Sequence, residues 1–150
     1  KIFHIRLLKL FAFLLFYCNF SNWTRKTKML PKIQNNNVQQ FLNQEEIVRE
    51  TANQIMKDFG MFGVEISFSG DVSNAYSELH NQLTTQIMEL IQQNYDKLLS
   101  VLYQVDISDR DIARAEDELS HYTHVEIIAH VVIVRDLKKV LIRHYFKTRQ

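Results

Sequence analysis

The sequence predicts an all-α fold, a small bundle of four or five helices with a short extended segment near 62–69. Three observations carry that expectation. The 150 residues include one proline and three glycines, too few to punctuate a chain of many strands and tight turns. Apolar residues recur at helical spacing over long stretches. From Thr123 to Phe146 there is neither Gly nor Pro, and a run of that length far exceeds the roughly 3–10 residues of a strand.

Residues 1–28 are set apart by composition. Only Ala12 among them has a codon beginning with G, against 36 of the 122 residues from Met29. Untranslated AT-rich DNA read in frame yields such Lys, Ile, Phe, Leu and Asn text, so the expectation is an over-extended start with Met29 as the true N-terminus. The alternative is a signal or anchor. Arg6 and the run Leu10–Tyr17 fit a basic and an apolar region, but no A-x-A-like cleavage site follows. Lys9 leaves the run short of a spanning helix, and the large side chains Leu15, Phe16 and Tyr17 precede Cys18 where a lipoprotein signal wants small ones. On the first reading residues 29–150 are a single helical domain. They hold no cysteine, which removes disulfide and thiolate chemistry and fits a cytoplasmic protein.

After the polar lead-in Asn35-Asn36-Asn37, residues Val38, Phe41, Leu42, Val48, Ala52, Ile55, Met56 and Phe59 follow helical spacing. Asn43 with Glu46 offers an inner cap, so this helix starts at 38 or at 44. Gly60 is expected to end it with a left-handed turn. In MFGVEISFSG (61–70), Val64, Ile66 and Phe68 alternate with polar residues, the pattern of a half-buried strand. With no second strand in the chain it is expected as a linker, or else paired with another copy. Tyr76 to Val105 is one helical stripe, with Gln92-Gln93-Asn94 a possible break and Asn94 the cap of a second helix. Ser108 with Asp111 caps a short helix over 109–119, and Thr123 with Glu126 opens the last. On that last helix Ile127, Val131, Val134, Leu137, Leu141 and Tyr145 share a face, while Val132, Ile133, Val140, Ile142 and Phe146 extend apolar character nearly all round. Such a helix is central to its bundle or buried by a second subunit.

Charge is uneven along the chain. Residues 1–32 carry +7, residues 33–122 carry −10 and residues 123–150 carry +4. A mildly acidic protein with a basic tail helix argues against a general nucleic-acid binder. Arg135, Lys138, Lys139 and Arg143 form a basic stripe on that helix. Either it neutralises the acidic body, each exposed pair contributing roughly 0–1 kcal/mol, or it contacts RNA or DNA phosphates. Neutralisation is the expectation.

His121, His124, Glu126 and His130 are the densest group of candidate ligands. The H-E-x-x-H spacing is absent and Glu126 is committed to a cap, so no metal or catalytic role is expected there. Asp106, Asp109 and Asp111 lack the glycine and glutamate of a calcium loop and read as capping residues. No glycine-rich phosphate loop or nucleophile–base set is present, so neither an enzyme nor a bound cofactor is expected.

Two stretches carry a resemblance: LLSVLYQVDIS (98–108) and EIIAHVVIVRDLKKVLIRHYF (126–146). Through Leu102, Tyr103, Asp106, Ser108, Ile127, Ile128, Ala129, Arg135, Leu137, Lys139 and Arg143, the chain resembles a group of short, uncharacterised bacterial cytosolic helical proteins. The resemblance implies an all-α fold and a bacterial cytosolic setting, and transfers no activity. The expected function is therefore a non-catalytic interaction or structural module that self-associates or binds another protein. Its expected surface is Arg135, Lys138, Lys139 and Arg143 beside Ile127, Val131, Val134 and Leu141. The alternative is a small nucleic-acid- or ribosome-associated protein; a membrane-anchored protein comes third, if residues 1–28 are native.

Overall fold

The computed structural model describes Ile33, Gln34, Phe41 and residues 44–147. These form a bundle of α1 (Glu45–Gly60), α2 (Ala75–Gln93), α3 (Tyr95–Val105), α4 (Asp109–Glu118) and α5 (His124–Lys147), with one 3-10 turn at Val72–Asn74. The expectations for residues 1–28 and for the lead-in with its Asn43 cap lie outside the described residues. None of the described helices is long and apolar enough to cross a membrane.

The last helix is the hub. α5 packs against all four of the others, and every residue from Ile127 to Val134 is buried. An α-helix turns through 100° per residue, so eight consecutive buried positions require cover on every side. α1 offers Val48, Ile55 and Phe59, and α2 offers Leu79, Leu83 and Ile87; with Val132, Ile133 and Leu137 of α5 they belong to the main core. The remaining side of α5 is closed by α4. That helix buries one residue of its ten, Ala115, which with half-buried Ile112 meets Ile127 and Val131 in a second small cluster. Burying two branched aliphatic side chains is worth roughly 1.5–3 kcal/mol each, enough to hold an otherwise polar helix in place.

The boundaries follow local chemistry. Asn94 breaks the α2–α3 stripe, and its side chain accepts from the amide of Lys97 at 3.0 Å. The Asp111 carboxylate accepts from the amide and hydroxyl of Ser108 at 3.0 and 2.6 Å. Glu126 accepts likewise from Thr123 at 2.7 and 2.8 Å. α3 ends in a left-handed residue, Asp106 (φ 68°), followed by the Ile107 amide donating back to the Leu102 carbonyl. One expectation is corrected. α1 includes Gly60, and the left-handed turn falls three residues later at Gly63 (φ 70°), where the Val64 amide reaches back to the Phe59 carbonyl.

The segment after Gly63 is extended and belongs to no sheet. Its alternation is real: Val64 and Ile66 are buried while Glu65, Ser67 and Ser69 are exposed. Its backbone groups find partners on α2 instead of on a strand. The Gln82 amide accepts from Ser67 N–H at 2.9 Å and donates to Ser67 C=O at 2.8 Å, as a neighbouring strand would. One turn away, Glu78 accepts from the amide and hydroxyl of Ser69, both at 2.7 Å. Polar side chains four apart on one helix face thus replace a ladder.

Candidate functional site

The expected interaction surface divides in two. Ile127, Val131 and Val134 are buried by the chain's own helices, and Leu141 is half-buried. Their apolar width is covered from within by α4 and the main core, so it does not by itself require a second copy.

The basic stripe faces the acidic body. Arg135 pairs with Asp106. Arg143 donates to the Gln54 side chain at 2.9 Å. Lys139 reaches two carboxylates, Asp58 at 3.1 Å and Asp136 at 2.8 Å. Lys138 lies in the field of Asp111 and Glu118, although burial and then Arg135 push its ammonium below the ordinary lysine value.

Around Lys139 lies a charged cluster that the sequence reading did not assemble. Asp136 is wholly buried and Asp58 nearly so, with Gln54 donating to Asp58 at 3.0 Å. Two carboxylates share one ammonium between α1 and α5. Burial above all, and the neighbouring Asp58 charge, push the Asp136 carboxyl up to about 6, against the pull of Lys139. The available signal was an acid inside the apolar stretch of α5, at a position flanked by Leu137 and one turn from Lys139.

The histidine group separates on folding. Glu126 stays with Thr123, whose amide and hydroxyl hold its carboxyl below the usual range. His124 turns to Glu116 at 2.6 Å, and His121 packs on Tyr122 with ring centres 4.5 Å apart. His130 points inward, its Nδ1 2.6 Å from the Tyr76 hydroxyl. It joins a box with His80 and Tyr122. Since a carbonyl only accepts, the 3.0 Å contact from His80 Nε2 to the Glu126 carbonyl makes His80 the donor. Burial, and then the Tyr122 hydroxyl, drive the Tyr76 phenol far above its ordinary value, so it remains a neutral phenol. The box therefore pins α2 to α5 through these two polar contacts. Tyr76 and His80, four apart and stacked at 5.4 Å, were a helical-face signal that the sequence reading passed over.

An apolar groove remains open. It lies among the end of α2, α3, α4 and the start of α5, with a volume of about 400 Å³. Its floor includes Leu98, Leu102 and Ile128, and its edge carries Ile91, Tyr95 and Leu99, which are 37, 56 and 47 % exposed. Asp109, Glu116 and the His124 that pairs with Glu116 also line it. Over residues 88–118 eight carboxylates face three cations, a net charge of −5. No protein-family model, curated protein or solved structure matches the chain.

Proposed function

We propose that the chain is a non-catalytic interaction module of the cytoplasm that self-associates through the α3–α4 groove. The observation that carries this reading is the line of exposed Ile91, Tyr95 and Leu99 along an apolar groove with an acidic rim. Contiguous exposed apolar surface marks an interaction site. The occupant is the C-terminal part of α5 from a second copy. There Ile142 and Phe146, four apart and 41 and 37 % exposed, sit among Lys138, Arg143 and Lys147, with no acid between 138 and 147. Apolar side chains at i and i+4 in a basic setting are complementary to an apolar groove with an acidic rim. The groove adjoins the start of α5 and the occupant lies at its end, so an antiparallel pair would exchange tails reciprocally and close as a two-fold dimer.

Sedimentation at roughly tens of micromolar, the range of a moderate interface, tests this. The wild-type chain should be dimeric, and Leu99→Asp and Ile142→Asp should each be monomeric with folding intact. A monomeric wild type, or a dimer that survives both changes, overturns it. RNA binding that persists at near-physiological salt would favour the nucleic-acid alternative instead.

A further inference from the structure

We propose that Glu46, Glu50 and His144 form a site for a divalent transition-metal ion of the zinc type, clasping the start of α1 to the end of α5. The inference is independent of the groove and of self-association. Glu46 and Glu50 are four apart on α1 and share a face, while His144 comes from the facing helix. One ligand atom from each lies within 4.8 Å of the other two. His144 Nε2 and Glu50 Oε1 are already 3.0 Å apart. Donors bound tetrahedrally to zinc at about 2.0–2.2 Å stand about 3.4 Å from one another. The His144–Glu50 pair therefore needs to open by only a few tenths of an ångström, and the exposed Glu46 side chain has the freedom to swing inward.

The framework behind these ligands is fixed. Ile47 and Val48 on α1 and Val140 on α5 are buried in the main core beside them, so the two helix backbones that carry the ligands are held in place. Among the described residues, Arg49 is engaged with Glu45 at 2.8 Å, Arg143 with Gln54 and Lys139 with Asp58 and Asp136. Among the described residues no Lys or Arg forms an ion pair with Glu46 or Glu50. Two carboxylates and a neutral imidazole carry −2 and balance a divalent ion. The imidazole favours zinc over magnesium or calcium, which prefer all-oxygen sets. Three protein ligands leave a fourth position for water.

The test is zinc titration of the full chain by calorimetry, with thermal melting in parallel. Wild type should bind one equivalent at this site and melt several degrees higher with zinc, because a ligand bound only by the native state stabilises it. Magnesium at the same concentration should do neither. His144→Ala should weaken that binding roughly tenfold or more and remove the melting shift. Glu46→Gln, at an exposed position that leaves the core untouched, should also weaken it. Binding should weaken as the pH is lowered, because protons compete with the metal for its ligands. Absence of both heat and melting shift at about 1 mM zinc, a weak-binding limit, overturns the proposal. So does affinity unchanged in either variant.

Discussion

The two halves of α5 live in different surroundings. From Ile127 to Val134 every side chain is buried, whereas beyond Leu137 charged residues interrupt the apolar ones and Ile142 and Phe146 stay exposed. What separates the halves is α4, a polar helix that contributes Ile112 and Ala115 to cover one side of the first half. A helix with apolar residues on nearly all sides can therefore be satisfied within one small chain, provided that a short helix crosses its open face. Where that cover ends, the same helix becomes a surface.

The sharpest way to break the comparison is to put a carboxylate in each half. Val131→Asp buries a charge against α4 and should cost on the order of 3–5 kcal/mol. In protein dilute enough to be monomeric, Ile142→Asp should leave the melting temperature almost unchanged. Equal losses in thermal denaturation would show that the second half is covered after all.

Next in size is the loss of Lys139. The sequence reading gave all the cations of the stripe a small, similar weight, because surface pairs contribute little. Lys139 differs, since it is the ammonium between two buried carboxylates. Lys139→Gln should cost about 3 kcal/mol, in the range for breaking a buried pair. Lys138→Gln and Arg143→Gln should each cost under about 1 kcal/mol. Denaturant unfolding of the three single variants separates these outcomes, and equal midpoints would place Lys139 among ordinary surface charges.

The smallest effect concerns pH. The native carboxyl of Asp136 sits at about 6, above its ordinary value of 3.8, so the folded state holds this proton more tightly than the unfolded chain. Its contribution to stability is fully present below the unfolded value and is lost as pH rises through about 6. Asp111 behaves in the opposite sense, because Ser108 holds it low: its contribution is present above its ordinary value and fades as pH falls through the native one. Asp136→Asn should therefore gain melting temperature relative to wild type on going from about pH 4.5 to 7.5, a window set by the displaced carboxyl. A constant offset at the two values would mean that Asp136 is ionised across the whole range.

Much of the architecture was legible. The capping pairs Ser108–Asp111 and Thr123–Glu126, the break at Asn94 and the unbroken α5 are local features, encoded within a few residues of where they act. The turn was misplaced from Gly63 to Gly60 because both glycines offer the same local freedom; the Val64–Phe59 contact decides between them. The alternation at 64–68 correctly indicated one buried face, but its partner, Gln82, lies fifteen residues away on a helix. The candidate surfaces were less legible for the same reason. The groove, the Tyr76–His130 contact, the two carboxylates on Lys139 and the Glu46–Glu50–His144 group all join residues from distant parts of the chain, and apolar period carries no record of such meetings.

The central place of α5 has a consequence in time. Its polar contacts with α1 span 81 residues from Asp58 to Lys139 and 89 from Gln54 to Arg143. A ribosome adding 5–20 residues per second needs on the order of 5–20 s to make roughly a hundred residues. During that interval α1 and α2 have been made, but the helix that covers Phe59, Leu83 and Ile87 has not. The nascent chain must wait with those side chains wet, and the core closes only after α5 has been made.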